Sequence, residues 1–335
     1  MDRSLLRAPL AFALAAFTAL PAFAAQRTFV ASYGNDANAS TNCSIAAPCR
    51  TFAASLPVTS NGGEVVALDS AGYGAITIVR SVTIIGPPGI HAGITVSGGT
   101  AVLVGAPPDS TVTLRGLEIV NLTSGGSGIY GSGANLRIEN TSVDGFDSNV
   151  LQFGPGTLHI ADSRLTRGAL TIGGFGGTVR FSIERTYVTP GAATTWTVKV
   201  QPNSSGIIKD STIEGFGGGG SYGVYTSTNS APATPVELVV QNSIVQGFEW
   251  GIYSDATGGS YSSVAVTDSQ LLKNVFAVSA VSGGSVALSS CKIAHNQYGI
   301  TSLSGPVYTD GRNWFGYNFA DLNGISTLTG PGGVR

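Results

Sequence analysis

A short pattern, apolar-x-apolar-x-[Asn/Asp]-[Ser/Thr]-x-apolar, recurs along the middle of the chain. It runs from Leu136 to Val143, Leu158 to Leu165, Leu238 to Val245, Val264 to Leu271 and Val286 to Ile293. A shorter copy spans Ile208 to Ile213, and degenerate copies lie at Leu114 to Ile119 and Phe181 to Val188. The polar position falls at 116, 140, 162, 185, 210, 242, 268 and 290. The spacing is 22 to 26 residues except for one interval of 32, which holds an insertion at 215–235 rich in Gly, Ser, Thr and Pro. A second short strand follows several copies, as in Gly128-Ile-Tyr130, Gly223-Val-Tyr225, Gly251-Ile-Tyr253 and Gly299-Ile-Thr301. Such a period holds a few short strands joined by tight turns and leaves no room for a helix. Alternation places Leu136, Ile138 and Val143 inside, with Arg137 and Glu139 outside. One coil cannot bury its own apolar face, but coils stacked about 4.8 Å apart can. The Asn/Asp column at the bend is expected to form a buried ladder, with the Asn242 amide bonded to the adjacent coils.

Composition agrees. Gly makes up 47 of 335 residues, about twice the usual ~7%, while there are 4 Lys and 1 Met. That excludes a helical bundle or coiled coil. With 42% hydrophobic residues the chain is no disordered tail, and it can bury a large core. A formal charge of −2 argues against a nucleic-acid binder, which would carry a basic stripe.

Residues 1–24 read as a signal peptide. Arg3 and Arg7 form a basic start, Leu10 to Leu20 an apolar stretch, and Ala22-Phe23-Ala24 an A-x-A cleavage site. No second apolar run of about 20 residues follows, so no membrane span is expected after its removal. The mature chain would carry 15 basic and 18 acidic residues. It is expected in the periplasm, at the cell surface or secreted. Export favours a disulfide between Cys43 and Cys49, closing a small loop. Cys291 sits in an apolar pattern and reads as buried and inert, with His295 a weak neighbouring base.

The coil pattern resembles the right-handed parallel β-helix of the pectin-lyase-like superfamily over roughly residues 60–315. The front of the chain is similar to the leader of exported bacterial β-helix proteins: Thr28-Phe-Val-Ala-Ser-Tyr-Gly34-Asn-Asp36-Ala-Asn38, then Pro48-Cys-Arg-Thr-Phe52, then Gly62-Gly-Glu64-Val-Val. The resemblance implies an all-β fold, a right-handed parallel β-helix with a short N-terminal cap helix at Thr51 to Leu56. It divides the chain into the signal (1–24), an N-terminal cap (25–60) and a solenoid with a C-terminal cap (61–335). About nine coils would make a rod of ~43 Å. The aromatic-rich Asn313-Trp-Phe-Gly-Tyr-Asn-Phe319 would close the last coil, with a sugar-stacking role as the alternative.

The superfamily holds lyases, hydrolases, epimerases, tailspikes and adhesins, so fold alone selects no chemistry. The Asp-Asp pair and Gly-His-Gly of polygalacturonases are absent; His91, His159 and His295 lie in Ile-His-Ala, Leu-His-Ile and Ala-His-Asn contexts. A pectate-lyase calcium site wants ~6–8 hard oxygens, which one Asp per coil does not supply. Neither a cofactor nor a metal site is therefore expected, and calcium only if the chain is a lyase. The catalytic residues stay unassigned. Arg137, His159, Arg164 and Arg167, on coils that also bear Arg180 and Arg185, form a candidate stripe for the carboxylates of an acidic polysaccharide. The alternative is exposed charge pairs of little consequence. Trp250, in Phe248-Glu249-Trp250-Gly-Ile-Tyr253, is a candidate sugar-stacking residue, unless it fills a coil corner. Tyr253 continues the column of Tyr130 and Tyr225. The expectation is thus a monomeric, exported binding or structural protein with a polysaccharide partner. A lyase or hydrolase of an acidic glycan is the rival, with Lys209 or His159 as the nearest candidate base.

Overall fold

A computed structural model describes residues 24–228, 235–256 and 260–323. Most of the signal segment and part of the 215–235 insertion lie outside the described residues. The strands form three parallel sheets of 12, 11 and 11 strands, wound into a right-handed solenoid of about 10 turns that is only 4% helical. One coil shows the path. Asn135–Glu139 lies in the 12-stranded first sheet, Ser142–Asp144 in the third and Ser148–Phe153 in the second. From each, Leu136, Ile138, Val143 and Val150 point into a core where all are fully buried. The repeat register is retained: Leu136 pairs with Leu158, which pairs with Phe181, and Leu238, Val264 and Val286 follow in the same sheet.

The bend between the first and third sheets differs from the expected buried ladder. Asn140, Asp162, Arg185, Asp210, Asn242, Asp268 and Ser290 all have φ between 45° and 54°, and Gly116 has 68°. They are the single left-handed residue that turns the chain. Asn and Asp tolerate this conformation better than other non-glycine residues, which explains their recurrence. Asn242 is exposed, with Nδ2 donating to Asp210 Oδ1 at 2.6 Å. The ladder is one residue later. Thr141, Ser163, Thr186, Ser211, Ser243 and Ser269 are all buried, and each hydroxyl donates to the carbonyl two residues back, at 2.7–2.9 Å. Most of the same oxygens accept a backbone N–H from the preceding coil: Thr141 to Ser163, Thr186 to Ser211, Ser211 to Ser243 and Ser243 to Ser269. Cys291 occupies the next rung, its thiol 3.3 Å from the Ser289 carbonyl. A thiol there stands where the other coils place a hydroxyl, and burial pushes its pKa up, which keeps it in the thiol form.

A true asparagine ladder does exist, at the corner between the third and second sheets. Phe248 N–H donates to Asn274 Oδ1, Asn274 N–H to Asn296 Oδ1 and Asn296 N–H to Asn318 Oδ1, all within 3.0 Å. Gly251 must be glycine here, because a Cβ would lie 2.7 Å from the Ala277 carbonyl oxygen and 3.0 Å from Asn274 Nδ2.

Both ends take shape from the sequence motifs. Ala25–Val30 pairs with Thr59–Ala67 as the outermost strand of the first sheet. Cys43 and Cys49 form the disulfide, and their loop covers the free edge of that strand: Phe29 N–H donates to the Cys43 carbonyl, Cys49 N–H to that of Phe29, and Ala31 N–H to that of Cys49. A protected edge cannot recruit another strand. The cap helix is Phe52–Ser55, with the Thr51 hydroxyl accepting from Ala54 N–H. The Asp36 carboxylate in turn accepts from Arg50 and Thr51 N–H. At the far end the expected aromatic closure is partial. Phe315 packs on the core, but Trp314, Tyr317 and Phe319 are exposed, at 47%, 78% and 84%. Tyr317 stacks on His295 at 5.0 Å, and Trp314 lies under Lys292.

Ser243→Ala should strip an acceptor from the buried Ser211 N–H and lower the unfolding free energy by about 1–3 kcal/mol in denaturant titration. Asn242→Gly should change it by well under half as much, since glycine adopts the left-handed bend freely. Equal losses in the two variants would contradict the hydroxyl ladder.

Candidate functional site

The Arg-bearing coils place Arg137 and His159 side by side, as paired residues on the outer face of the first sheet. Arg164 is around the bend on the third sheet, its guanidinium 4.5 Å from the Tyr187 ring centre. Arg167 stands farther on, at the corner beyond that sheet. The four residues thus do not share one groove. Most are engaged by neighbours. Arg137 and Arg115 both pair with Glu139, and although burial opposes it they hold that carboxylate below its usual range. Arg167 binds Asp144 through two nitrogens and lowers its pKa, while Arg185 does the same to Asp162. His159 Nδ1 is 3.0 Å from Ser182 Oγ, which donates to Glu184. Lys209, the other candidate base, lies beside Glu184 as its paired residue on the next coil.

Trp250 is not in a corner. It lies on the outer face of the second sheet, in register with Tyr222 on one side and Phe276 on the other, and the same row continues to Trp196 and Tyr298. Parallel pairing without a slip stacks these rings. Trp250 and Phe276 are 4.1 Å apart with planes at 15°, Phe276 and Tyr298 5.2 Å at 14°, and Tyr222 and Trp250 6.2 Å at 14°. A second row runs beside it, Leu151, Thr171, Lys199, Tyr225, Tyr253, Ser279 and Thr301. Tyr225 and Tyr253 each pack against Tyr222, at 5.1 and 5.0 Å. Six of these rings therefore form one half-buried aromatic surface across four coils, from Tyr222 to Tyr298. The repetition in the column that Tyr225 and Tyr253 continue supplies two of the rings that build the surface. The signal that reveals the other row is an aromatic two residues before the inward Val or Ile: Trp196-Thr-Val, Tyr222-Gly-Val, Trp250-Gly-Ile, Phe276-Ala-Val and Tyr298-Gly-Ile.

Polar groups stand along its edges. The Lys199 ammonium is 3.9 Å from the Trp196 ring centre, and burial pushes its pKa down. A cleft beside it is lined by Asp147, Phe153, Thr194, Trp196, Lys199 and Gln201. Burial raises the Asp255 carboxyl above its usual range, and Tyr253 is raised to about 12, first by burial and then by neighbouring Tyr222 and Asp255. On the side toward the third sheet, a second cleft brings Glu249, Lys273, His295 and Gln297 against the Gly217–Gly219 loop. Among the described residues no cluster of His, Cys, Asp and Glu could hold a metal ion, and no helix is long and apolar enough to cross a membrane.

No family model and no curated protein matches the sequence. Among solved structures, the chain is similar to pectate lyase Pel9A, with a TM-score of 0.60 and 16% identity over 91% of this chain and 80% of that one. It is also similar to a rhamnogalacturonan lyase, with a TM-score of 0.54 and 11% identity over 90% and 89%. At these identities the likeness establishes the fold, which is the pectin-lyase-like β-helix.

The pairing pattern makes the Arg-bearing coils stabilising to a small degree. Replacing both Arg137 and Arg164 by Ala should lower the unfolding free energy by no more than about 2 kcal/mol, one exposed ion pair and one exposed cation–ring contact. A larger loss in chemical denaturation would show that these side chains hold the coils together.

Proposed function

We propose that the protein is an exported polysaccharide-binding β-helix and that the aromatic surface of the second sheet is its binding face. One observation carries the reading: Tyr222, Trp250, Phe276 and Tyr298 stack in register on the outside of the solenoid, half-buried against one another and outside the core cluster. The C–H face of a pyranose packs against such rings, and an aromatic surface flanked by a few polar groups is the common form of a carbohydrate or small-ligand site. The likeness in fold to two polysaccharide lyases is compatible with a glycan partner, and the signal-like start of the sequence supports export.

Chemistry on the glycan is not part of this reading. A lyase needs a base within hydrogen-bond reach of the sugar proton it removes, and a hydrolase needs a placed acid. Burial displaces the protonation of Lys199 and Asp255 on this face, as it does that of Tyr222, Tyr225 and Tyr253, but Lys199 and Asp255 lie two coils apart in the register.

Trp250→Ala should weaken retention in a polysaccharide affinity gel about thirtyfold, the loss of one central aromatic anchor worth about 2 kcal/mol. Its melting temperature should fall only modestly, because the ring lies outside the core and the variant loses its packing on Tyr222, Tyr253 and Phe276 alone. Unchanged retention would remove the aromatic surface from the binding role. Shortened glycan chains after incubation would convert the reading to that of an enzyme.

A further inference from the structure

The charges and unpaired atoms around the aromatic surface narrow the kind of glycan, an inference that rests on the reading of this surface as the binding face. Along the two rows and in the clefts at their sides, the described charged groups are Lys199 and Lys273 against Asp147, Glu249 and Asp255. His295 is stacked on Tyr317. Arg137 lies on the first sheet and Arg164 on the third, while Arg167, at the corner beyond the third sheet, is taken up by Asp144. The surface therefore carries a small excess of negative charge. A polyuronate brings one carboxylate per sugar onto it, more than Lys199 and Lys273 can match beside Asp147, Glu249 and Asp255, and like charges brought together cost affinity.

Hydrogen bonding points the same way. Gln201 Oε1 and Asp255 Oδ1 are shielded and have no partner, but both side chains are half-buried and can turn an oxygen toward a ligand seated on the rings. Gln201 Oε1 and an ionised Asp255 can only accept. They call for donors. A sugar hydroxyl donates, whereas a carboxylate offers only further acceptors. An orphaned acceptor that gains a donor recovers much of its desolvation cost. Stacking on rings adds attraction that does not depend on ligand charge.

We propose that the ligand is an uncharged, hydroxyl-rich polysaccharide and not the acidic one that the Arg-bearing coils suggest. Contact with it is made by stacking and by hydroxyl donors, so salt has little hold on it.

Affinity electrophoresis of the mature protein tests this with a neutral β-glucan and a galactomannan in one set of gels, and polygalacturonate and alginate in the other, at about 0.01 M and about 1 M salt. At least one neutral polymer should retard the protein, at least tenfold more strongly than either polyuronate. That retardation should be the same within twofold at both salt concentrations and should be lost in Trp250→Ala. Retardation by a polyuronate that disappears in Trp250→Ala and at high salt would overturn the neutral class while leaving the binding face in place. Retardation by none of the four polymers, with the protein folded by circular dichroism, would overturn both.

Discussion

The geometry of the solenoid depends on one corner. At the bend between the first and third sheets a single left-handed residue turns the chain, and the residue after it places a hydroxyl inside. That hydroxyl caps a carbonyl of its own coil and accepts an N–H from the coil before, as Ser243 does for Gln241 and Ser211. Two backbone groups that the turn takes out of the sheets are thereby satisfied in a place water does not reach. Because the same atoms join successive coils, the corner also fixes their relative height. A slip of one residue would move each apolar side chain to the wrong face.

Fixed height has a consequence on the outside. Residues at equivalent positions stack directly over one another at the strand spacing of about 4.8 Å, which is close to the contact distance of planar rings. Trp250 and Phe276 meet at 4.1 Å for that reason. The third-to-second-sheet corner contributes as well: the Asn274, Asn296 and Asn318 ladder holds the residues two positions before Phe276, Tyr298 and Ala320. A binding surface built this way is rigid before the ligand arrives, so little side-chain entropy remains to be lost on association. The charged first-sheet face follows the same rule with a different result. Arg115 comes level with Glu139, and around the bend Asp162 with Arg185, and the pairs neutralise one another.

How much of this can be read from the sequence depends on which interactions are periodic. The alternation in Leu136, Ile138 and Val143 is sufficient to define the sheets, and Thr51 and the Cys43–Cys49 loop mark the cap. The Asn/Asp column is equally periodic, yet periodicity does not say whether a residue is favoured for its side chain or for its backbone. At Asn242 it is the backbone, and the buried partner is the inconspicuous Ser243. That Arg164 lies across the bend from Arg137 is legible in the repeat, but not that the bend turns it onto a different sheet, away from a shared groove. The aromatic surface is periodic too, but its members differ as Trp, Tyr and Phe, and an alignment on the Gly-[Ile/Val] strand centres attention on the residue after it rather than the one before.

The central claim is that this surface receives the glycan. Of the three Trp residues, Trp196 and Trp250 lie in its row, while Trp314 is on the last coil of the third sheet. In a Trp314→Phe variant all tryptophan emission therefore comes from the row. Titration with a neutral oligosaccharide should shift that emission to the blue in a saturable manner as sugar displaces water from the rings. Binding that is measured by calorimetry on the same samples, with no change in emission, would place the ligand elsewhere on the solenoid.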